Sequence, residues 1–357
     1  MIWAQNHTGS LSWRGAMATL DFSGCVAIVT GAARGLGREY ALMLAARGCS
    51  VVVNDLGGSA TGGGTIITSG VPMKKDLQAM PPSQAPANSV VAEIQGAGGK
   101  ALANYDSVEQ GQRIVQAALD TFGRIDIVIC NAGILRTKRF VEYSDDDEDW
   151  KKLVDVHLNG TYSVLRAAWP HMLKAKYGRV VVTASVAGLF GLPTQAGYGA
   201  AKAAMIGLCR VLAIEGRRRN IGVNVIAPMA VSRLTSTESY TDRKQEAASD
   251  DSPAGDPRYV AALVTFLCHE SCKANGSIYE AGMGWYCKTE LVRSRGYVLE
   301  GPALRDPSLA SPEVVGAAFA DIEDFKAEGS TTPGIRYTNP PKAAFVKILE
   351  QRKASKL

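Results

Sequence analysis

The chain has 357 residues, 46% hydrophobic and 20% charged, which is ordinary for a globular protein with one large core or two smaller ones. Its net charge of +5 is spread along the chain, so charge gives no support to a nucleic-acid partner, and no apolar stretch approaches the roughly 18 residues of a membrane span. Seven cysteines without paired spacing predict free thiols in a reduced compartment, and four scattered histidines predict no metal site.

The predicted elements begin after a lead-in. Residues 1–19 lack the apolar core of a secretory signal and are predicted to be disordered, with Met17 as an alternative start. A short apolar strand, 25–30, ends directly in a glycine-rich turn, and a second strand ends at Asp55. The segment 57–88 is too long for an ordinary connection, and we interpret it either as a mobile insertion or as a substrate lid.

Helices and strands alternate along the rest of the main domain. The predicted helices are 38–47, 90–95, 112–122, 150–173 and 198–217, and the predicted further strands are 101–105, 125–130, 179–185, 223–226 and 277–281. This alternation predicts an α/β domain over 20–285: a doubly wound seven-stranded parallel sheet with helices on both faces, the Rossmann fold. Residues 286–357 are predicted to form a C-terminal extension.

The glycine-rich turn is typical of a dinucleotide site because it follows a strand and opens a helix. Gly31 permits the tight turn, Gly35 lets the backbone approach a pyrophosphate, and Gly37 lets the helix pack on the sheet. The N–H groups of the first helical turn then face the phosphates. Leu36 and Arg34 belong to the same turn, and Arg34 could pair with a phosphate.

Carboxylates after the next two strands extend this site. Asp55 is expected where the adenosine ribose arrives, and a carboxylate there accepts from the ribose hydroxyls and repels a 2′-phosphate, which predicts NAD as the cofactor. Asp106 is either an adenine contact or a helix cap. Residues 131–133 (Asn131, Ala132 and Gly133) are expected to bring backbone against the ribose.

A tyrosine and a lysine four residues apart supply the chemistry. Tyr198 and Lys202 share a helix face, and Ser185 ends the preceding strand. Lowering a tyrosine pKa from near 10 to about 7 takes roughly 4 kcal/mol, which a lysine ammonium about 4 Å away can supply. We therefore expect Tyr198 to act as general acid or base in hydride transfer at a secondary alcohol, with Ser185 holding the substrate oxygen and Lys202 also binding the nicotinamide ribose.

Together these residues resemble the short-chain dehydrogenase/reductase family. The matching segments are 30–37 (TGAARGLG), Asn131-Ala132-Gly133, Ser185, Tyr198-Gly199-Ala200-Ala201-Lys202 and Pro228. The resemblance implies that Ser107, Pro228, Tyr198 and Lys202 also contact the cofactor. Its fourth catalytic residue, an Asn, is replaced by His157, which either joins the proton relay or is a packed histidine.

Further segments resemble the dehydrogenase part of the peroxisomal multifunctional enzyme type 2 branch of that family. They are 53–58 (VNDLGG), 104–108 (NYDSV), 131–136 (NAGILR), 166–169 (RAAW), 212–217 (LAIEGR), 267–272 (LCHESC) and 282–285 (GMGW). The resemblance implies NAD-dependent interconversion of (3R)-hydroxyacyl-CoA and 3-oxoacyl-CoA in fatty-acid β-oxidation, and a homodimer whose extension reaches a neighbouring active site. No counterpart of the branch's hydratase and sterol-carrier parts is expected.

Three other functions remain open at this point. A 17β-hydroxysteroid or other secondary-alcohol dehydrogenase is the first alternative. An acyl-carrier reductase using NADPH is opposed by Asp55, and a dinucleotide-sensing module without turnover is opposed by the intact Ser185, Tyr198 and Lys202.

The last three residues, Ser355-Lys356-Leu357, match a peroxisomal address that an import receptor reads. They predict a peroxisomal protein, or a glycosomal one in organisms that have glycosomes.

Overall fold

The computed structural model of the protein describes residues 19–57, 86–230, 255–292, 294, 296–297, 299, 306 and 310–324. The predictions of a disordered lead-in, of a lid or insertion over most of 57–88, and of a targeting signal at 355–357 fall on residues outside these ranges.

Helices separate the successive strands from the first to the seventh strand. The strands are β1 Val26–Thr30, β2 Ser50–Asn54, β3 Lys100–Asn104, β4 Ile127–Cys130, β5 Gly178–Thr183, β6 Ile221–Pro228, β7 Ile278–Gly282 and β8 Trp285–Thr289. The helices are α1 Gly35–Ala45, α2 Pro86–Gly96, α3 Gly111–Phe122, α4 Glu148–Val154, α5 Gly160–Ala175, α6 Val186–Phe190, α7 Ala196–Gly216, α8 Arg258–Cys268, α9 Pro312–Ala317 and α10 Phe319–Glu323.

The strands form one sheet in the order β3-β2-β1-β4-β5-β6-β7-β8. All six pairings between β1 and β7 are parallel. The doubly wound α/β prediction is therefore confirmed.

The predicted count of seven strands is wrong, because the sheet has an eighth strand, β8, which follows β7 after only Met283 and Gly284. So short a connection permits only an antiparallel neighbour. The strand was missed because its residues are mostly exposed and do not alternate between apolar and polar side chains.

Strand side chains alternate between two cores, one on each face of the sheet. Ala27, Val29, Val51, Val53 and Ile129 belong to the core under α1, α2 and α8. Their neighbours along the chain, Val26, Ile28, Val52, Val128 and Cys130, belong to the core under α3, α5 and α7. Burial on both faces fixes the register, and so it fixes which residues lie at the carboxyl ends of the strands.

Helix α7 corrects the expectation that no apolar stretch approaches the length of a membrane span. With the turn that follows it, the segment Ala196–Arg219 is 24 residues long and apolar enough to cross a membrane by length and composition alone. Its inner residues Met205, Cys209 and Ala213 belong to the core. A core helix of this length satisfies the same criterion.

The chain divides into two compact units at Lys288 and Thr289. The first unit holds the eight-stranded sheet. The second contains α9 and α10, and in it the hydroxyl of Ser294 donates to the carbonyl of Ile322.

Candidate active site

The predicted site residues follow the carboxyl ends of the parallel strands. Between β1 and β4 the strand order reverses direction, since β2 and β3 lie on one side and β4 to β7 on the other. Loops diverge at such a point and leave a crevice, which is where open α/β sheets bind ligands. The predicted residues therefore meet at one edge of the sheet, on both sides of this crevice.

The glycine turn is closely packed on its inner side and open on its outer side. A Cβ at Gly37 would lie 2.1 Å from the Gly31 carbonyl oxygen, and one at Gly31, where φ is +63°, would lie 2.8 Å from the Ala132 Cα. A Cβ at Gly35 meets no atom of the described chain within 4 Å, although its φ of +51° favours glycine. The turn is thus a shallow cradle above the N-terminus of α1.

The end of β4 is tied to this turn across the crevice. The side-chain nitrogen of Asn131 donates to the carbonyls of Thr30 and Gly31, each at 3.1 Å. The Thr30 hydroxyl accepts from the backbone N–H groups of Asn131 at 3.0 Å and of Ala132 at 3.1 Å. The Asn131 side chain therefore holds the end of β4 against the glycine turn, while the expected backbone approach to a ribose stays a prediction.

Asp55 faces the glycine turn from the end of β2. One carboxylate oxygen accepts from the N–H of Ala33 at 3.1 Å, and the other accepts from the N–H of Gly57 at 2.8 Å. Each oxygen retains a further lone pair for another donor. The carboxylate is thereby fixed beside the cradle, and its binding of a ribose stays a prediction.

Below Asp55, buried amides join the ends of β2 and β3. The Asn54 side chain donates to the side-chain oxygen of Asn104 at 2.7 Å and to the carbonyl of Asp106 at 2.9 Å. Asn104 in turn donates to the Asp106 carboxylate at 2.8 Å. Asp106 is thus held by its neighbours, while the helix-cap contact is made by Ser107, whose hydroxyl accepts from the N–H of Glu109.

The remaining predicted cofactor residues also lie at this edge. Arg34 is the N-cap of α1, and Leu36 packs partly buried against the core of that face. Pro228 is the last residue of β6. Arg34, the glycine turn, Asp55 and Asp106 lie on one side of the crevice, and Asn131 to Gly133 and Pro228 lie on the other.

Ser185, Tyr198 and Lys202 come together beyond the end of β5. Ser185 caps α6, where its hydroxyl accepts from the N–H of Ala187 at 3.2 Å, and its side chain is hydrogen-bonded to Tyr198. The Lys202 nitrogen lies 5.6 Å from the centroid of the Tyr198 ring. Close packing of α6 on α7 sets this arrangement, because a Cβ at Gly188 would lie 2.7 Å from the backbone of Lys202.

The electrostatics of this group differ from the sequence-based expectation. Burial raises the pKa of Tyr198, and its hydrogen bond with Ser185 acts in the opposite direction. Burial also lowers the pKa of Lys202 to about 7. The ammonium donates to the carbonyl of Thr183 at 2.6 Å. A lysine partly neutral at pH 7 and directed at a carbonyl does not by itself make the phenol acidic.

His157 lies within the site and is fully buried. Its ring meets the Tyr198 ring edge to face, with centroids 5.3 Å apart, and its Nε2 lies 2.7 Å from the carbonyl oxygen of Ile134. Burial holds the pKa of His157 well below its ordinary value, and the charge of Lys202 adds to this. The imidazole is therefore uncharged at neutral pH.

Three positions that the sequence did not single out support the site. The Thr30 hydroxyl bonds to the backbone of residues 131–132, and the Asn104 side chain accepts from Asn54 in the buried amide network. Gly188 has no side chain and so allows α7 to pack closely on α6. These three residues share one signal in the sequence. Each is a small or polar residue at the end of a strand or in the first turn after it.

The cradle fits a nicotinamide nucleotide in shape and charge. The turn has open space above Gly35, and in the described helix α1 the first turn carries no acidic side chain, so its N–H groups can donate hydrogen bonds to an anion. Within the described ranges, no group of three or more His, Cys, Asp or Glu side chains could hold a metal ion.

Fold and crevice together define a doubly wound α/β protein of the dinucleotide-binding class. A sequence model described as short chain dehydrogenase matches residues 57–246. A short-chain type dehydrogenase/reductase of Mycobacterium tuberculosis is 42% identical over 305 residues, which are 84% of this chain and 97% of that protein. The chain belongs to the short-chain dehydrogenase family, whose members are oxidoreductases that use a nicotinamide nucleotide.

Other similar proteins are longer than this chain. The mouse peroxisomal multifunctional enzyme type 2 is 47% identical over 306 residues, 86% of this chain and 37% of the mouse protein. The full-length structure of the Drosophila melanogaster enzyme of the same name superposes with a TM-score of 0.69 at 33% identity, covering 93% of this chain and 50% of that chain. The chain spans 37% to 62% of the length of the first three curated relatives.

Proposed function

We propose that this protein is an NAD-dependent dehydrogenase that interconverts (3R)-hydroxyacyl-CoA and 3-oxoacyl-CoA in peroxisomal or glycosomal fatty-acid β-oxidation. The observation that carries the proposal is the convergence of Ser185, Tyr198 and Lys202 beside a crevice with a phosphate cradle. The substrate class is supported by relatives whose names include peroxisomal multifunctional enzyme type 2 and peroxisomal hydratase-dehydrogenase-epimerase.

The chemistry assigned to the chain is proton transfer and orientation. A bound nicotinamide nucleotide supplies the hydride acceptor or donor. Ser185 orients the substrate oxygen by a hydrogen bond, and the Tyr198 phenolate takes the alcohol proton during oxidation, whereas the Tyr198 phenol donates that proton during reduction. Burial raises the pKa of the phenol, so proton removal depends on positive charge at the site; Lys202 supplies this charge when protonated.

NAD is the proposed cofactor because of Asp55. Its carboxylate is fixed beside the cradle by the N–H groups of Ala33 and Gly57. A fixed carboxylate accepts from ribose hydroxyls and repels a 2′-phosphate. The cradle residues Gly31, Gly35 and Gly37 are assigned to the pyrophosphate and Asp106 to the adenine.

We also propose that the protein is a homodimer and a cargo of the peroxisomal import receptor. Helix α7 exposes a row of apolar side chains that includes Val211, 53% exposed, and Ile214, 61% exposed, which a second copy would cover. The import proposal depends on Ser355-Lys356-Leu357 and on the peroxisomal names of the relatives. Deleting these three residues should abolish binding to a purified receptor.

The decisive experiment is a paired assay of the purified chain with NAD and NADP. Both cofactors are tested against (3R)- and (3S)-hydroxyacyl-CoA and against a 17β-hydroxysteroid, with Tyr198→Phe as the control. We expect turnover of the (3R) substrate with NAD, and loss of turnover but retained NAD binding in Tyr198→Phe. Turnover of the steroid alone would replace the substrate class, and an active Tyr198→Phe would refute the assigned proton transfer.

A further inference from the structure

A single widened turn brings His157 into the site. Residues Asp155–Asn159 form a π-helical turn between α4 and α5. The side chain of Asn159 donates to the Asp155 carboxylate at 2.8 Å. Such turns insert one extra residue into a helix and occur often at functional sites. Here the turn directs one residue, His157, inward until it is fully buried.

The imidazole contacts the site on two sides. On one side its Nε2 lies 2.7 Å from the carbonyl oxygen and 3.2 Å from the amide nitrogen of Ile134. On the other side its ring meets the Tyr198 ring at 5.3 Å between centroids and an interplanar angle of 83°. The loop after β4 and the phenol are therefore both in contact with the same rigid ring.

Residue 133 is a glycine, and the His157 ring packs directly against its Cα. A Cβ on Gly133 would lie 2.4 Å from Cε1 and 3.1 Å from Nδ1 of His157. Contacts this short are forbidden, so the ring occupies the space that any side chain at 133 would need. Gly133 and His157 thus form a pair in which the size of one residue limits the size of the other.

The imidazole ring of His157 is poorly suited to take up a second proton. Among the described residues, the Nδ1 of His157 has no hydrogen-bond partner. The 2.7 Å contact favours Nε2–H donating to Ile134, so a second proton would sit on this buried and unpartnered nitrogen. Lys202, Tyr198 and Cys130 are the titratable groups nearby, and the Lys202 charge also opposes a second charge.

We propose that His157 is a positioning residue whose ring sets the spacing between the Gly133–Ile134 backbone and the phenol of Tyr198. This assignment rests on the proposed function, since it concerns the group that transfers the proton there. It replaces participation in a proton relay, one of the two interpretations that the sequence left open. The role requires the shape of the ring, and it leaves NAD affinity to the other residues of the crevice.

The test compares His157→Ala, which removes the ring, with His157→Phe, which keeps a planar ring at this position, and with His171→Ala on α5 as a histidine control. The first readout is kcat together with the Kd of the dinucleotide. The second is the titration of the Tyr198 phenol without cofactor, measured as the ultraviolet difference spectrum between each protein and the same protein carrying Tyr198→Phe. We expect His157→Ala to lower kcat about 10- to 100-fold with an NAD Kd within about twofold, and to shift the phenol titration. His157→Phe should retain most of both properties, and His171→Ala all of them.

A double substitution tests the size complementarity. Gly133→Ala alone should lower kcat at least as much as His157→Ala, and Gly133→Ala with His157→Ala should recover part of that loss. Unchanged kcat and phenol titration in His157→Ala, or strictly additive losses in the double variant, would overturn the proposal. If His157→Ala does not fold, the His157→Phe comparison decides, because a relay would lose activity in it and a spacer would not. A wild-type protein without turnover would instead refute the proposed function, and the phenol titration would still test the spacer.

Discussion

The side-chain nitrogen of Lys202 lies 2.6 Å from the carbonyl oxygen of Thr183, the last residue of β5, and donates a hydrogen bond to it. The lysine is 3% exposed and its pKa is lowered to about 7 by burial. The residue is therefore held at the end of the sheet, next to the Tyr198 ring, with its charge only partly present at neutral pH. Burying a lysine in this way costs stability, as the first prediction tests.

Lys202→Met should stabilise the protein while abolishing turnover. The folded-state pKa of about 7 lies below the ordinary 10.5, so the unfolded chain binds more protons between these values and stability rises with pH across that window. Removing the amine should raise the free energy of unfolding by about 2 to 4 kcal/mol below pH 7, allowing for the donor lost by Thr183. The gain should shrink toward pH 10. Urea unfolding at several pH values measures this, with exposed Lys174→Met as the control, and an unchanged or lower stability at pH 6.5 would contradict it.

Asp55→Asn should weaken the proposed preference for NAD over NADP. An asparagine retains an oxygen for one of the two backbone N–H groups that Asp55 binds, so the glycine turn should survive. The loss of charge removes the repulsion of a 2′-phosphate, and the ratio of the two Kd values should change by about tenfold or more. Isothermal titration with both nucleotides measures the ratio, and exposed Asp120→Asn is the matched control. The same ratio in Asp55→Asn and wild type would remove Asp55 from the specificity site.

Gly37→Ala should impair the phosphate cradle. The added Cβ would lie 2.1 Å from the Gly31 carbonyl oxygen and 2.6 Å from the Asn131 side-chain nitrogen, so the turn must move. We expect a loss of about 1 to 3 kcal/mol in unfolding free energy and at least about tenfold weaker NAD binding. Gly96→Ala is the control, since a Cβ there meets no described atom within 4 Å. Wild-type affinity in Gly37→Ala would show that this contact does not shape the cradle.

Asn54→Leu should destabilise the end of the crevice that we propose for the adenosine. The asparagine amide donates to both Asn104 and Asp106, and a leucine of similar size leaves these buried acceptors unpaired. The expected cost is about 1 to 3 kcal/mol, with weaker binding of NAD and of ADP alike. Thermal unfolding and titration with both ligands measure the effect. A stable variant with normal ADP affinity would indicate that the amide network has no part in holding Asp106.

Ile214→Asp should shift the proposed homodimer toward monomer. Ile214 is 61% exposed on α7, so a carboxylate there is tolerated in one copy but is buried when two copies pack on this face. Light scattering after size-exclusion chromatography measures the molar mass over a range of concentrations. Exposed Leu56→Asp, away from α7, is the control. A variant that remains dimeric would exclude this face as the interface.

The sequence by itself determined the class of fold and the residues that bear chemistry. Strands buried on both faces appear as short runs such as Val51-Val52-Val53, and helix–strand alternation then leaves few arrangements other than a parallel sheet. The glycine turn can be recognised in the sequence because it joins a strand directly to a helix. Tyr198 and Lys202 can be recognised because residues four apart share a helix face, and Ser185 because it follows the preceding strand. Strand β8 was not visible, since its residues do not alternate between apolar and polar side chains and only the β7 edge determines where it pairs.

What only the tertiary structure decided was how these groups affect one another. Burial, which no spacing reveals, raises the pKa of Tyr198 and lowers that of Lys202, opposite to what an isolated pair at i and i+4 suggests. The π-helical turn, which places the His157 ring between Ile134 and Tyr198, likewise depends on packing between segments distant in the chain. Residues close in sequence report their own propensities, whereas desolvation and contact depend on the whole surrounding fold.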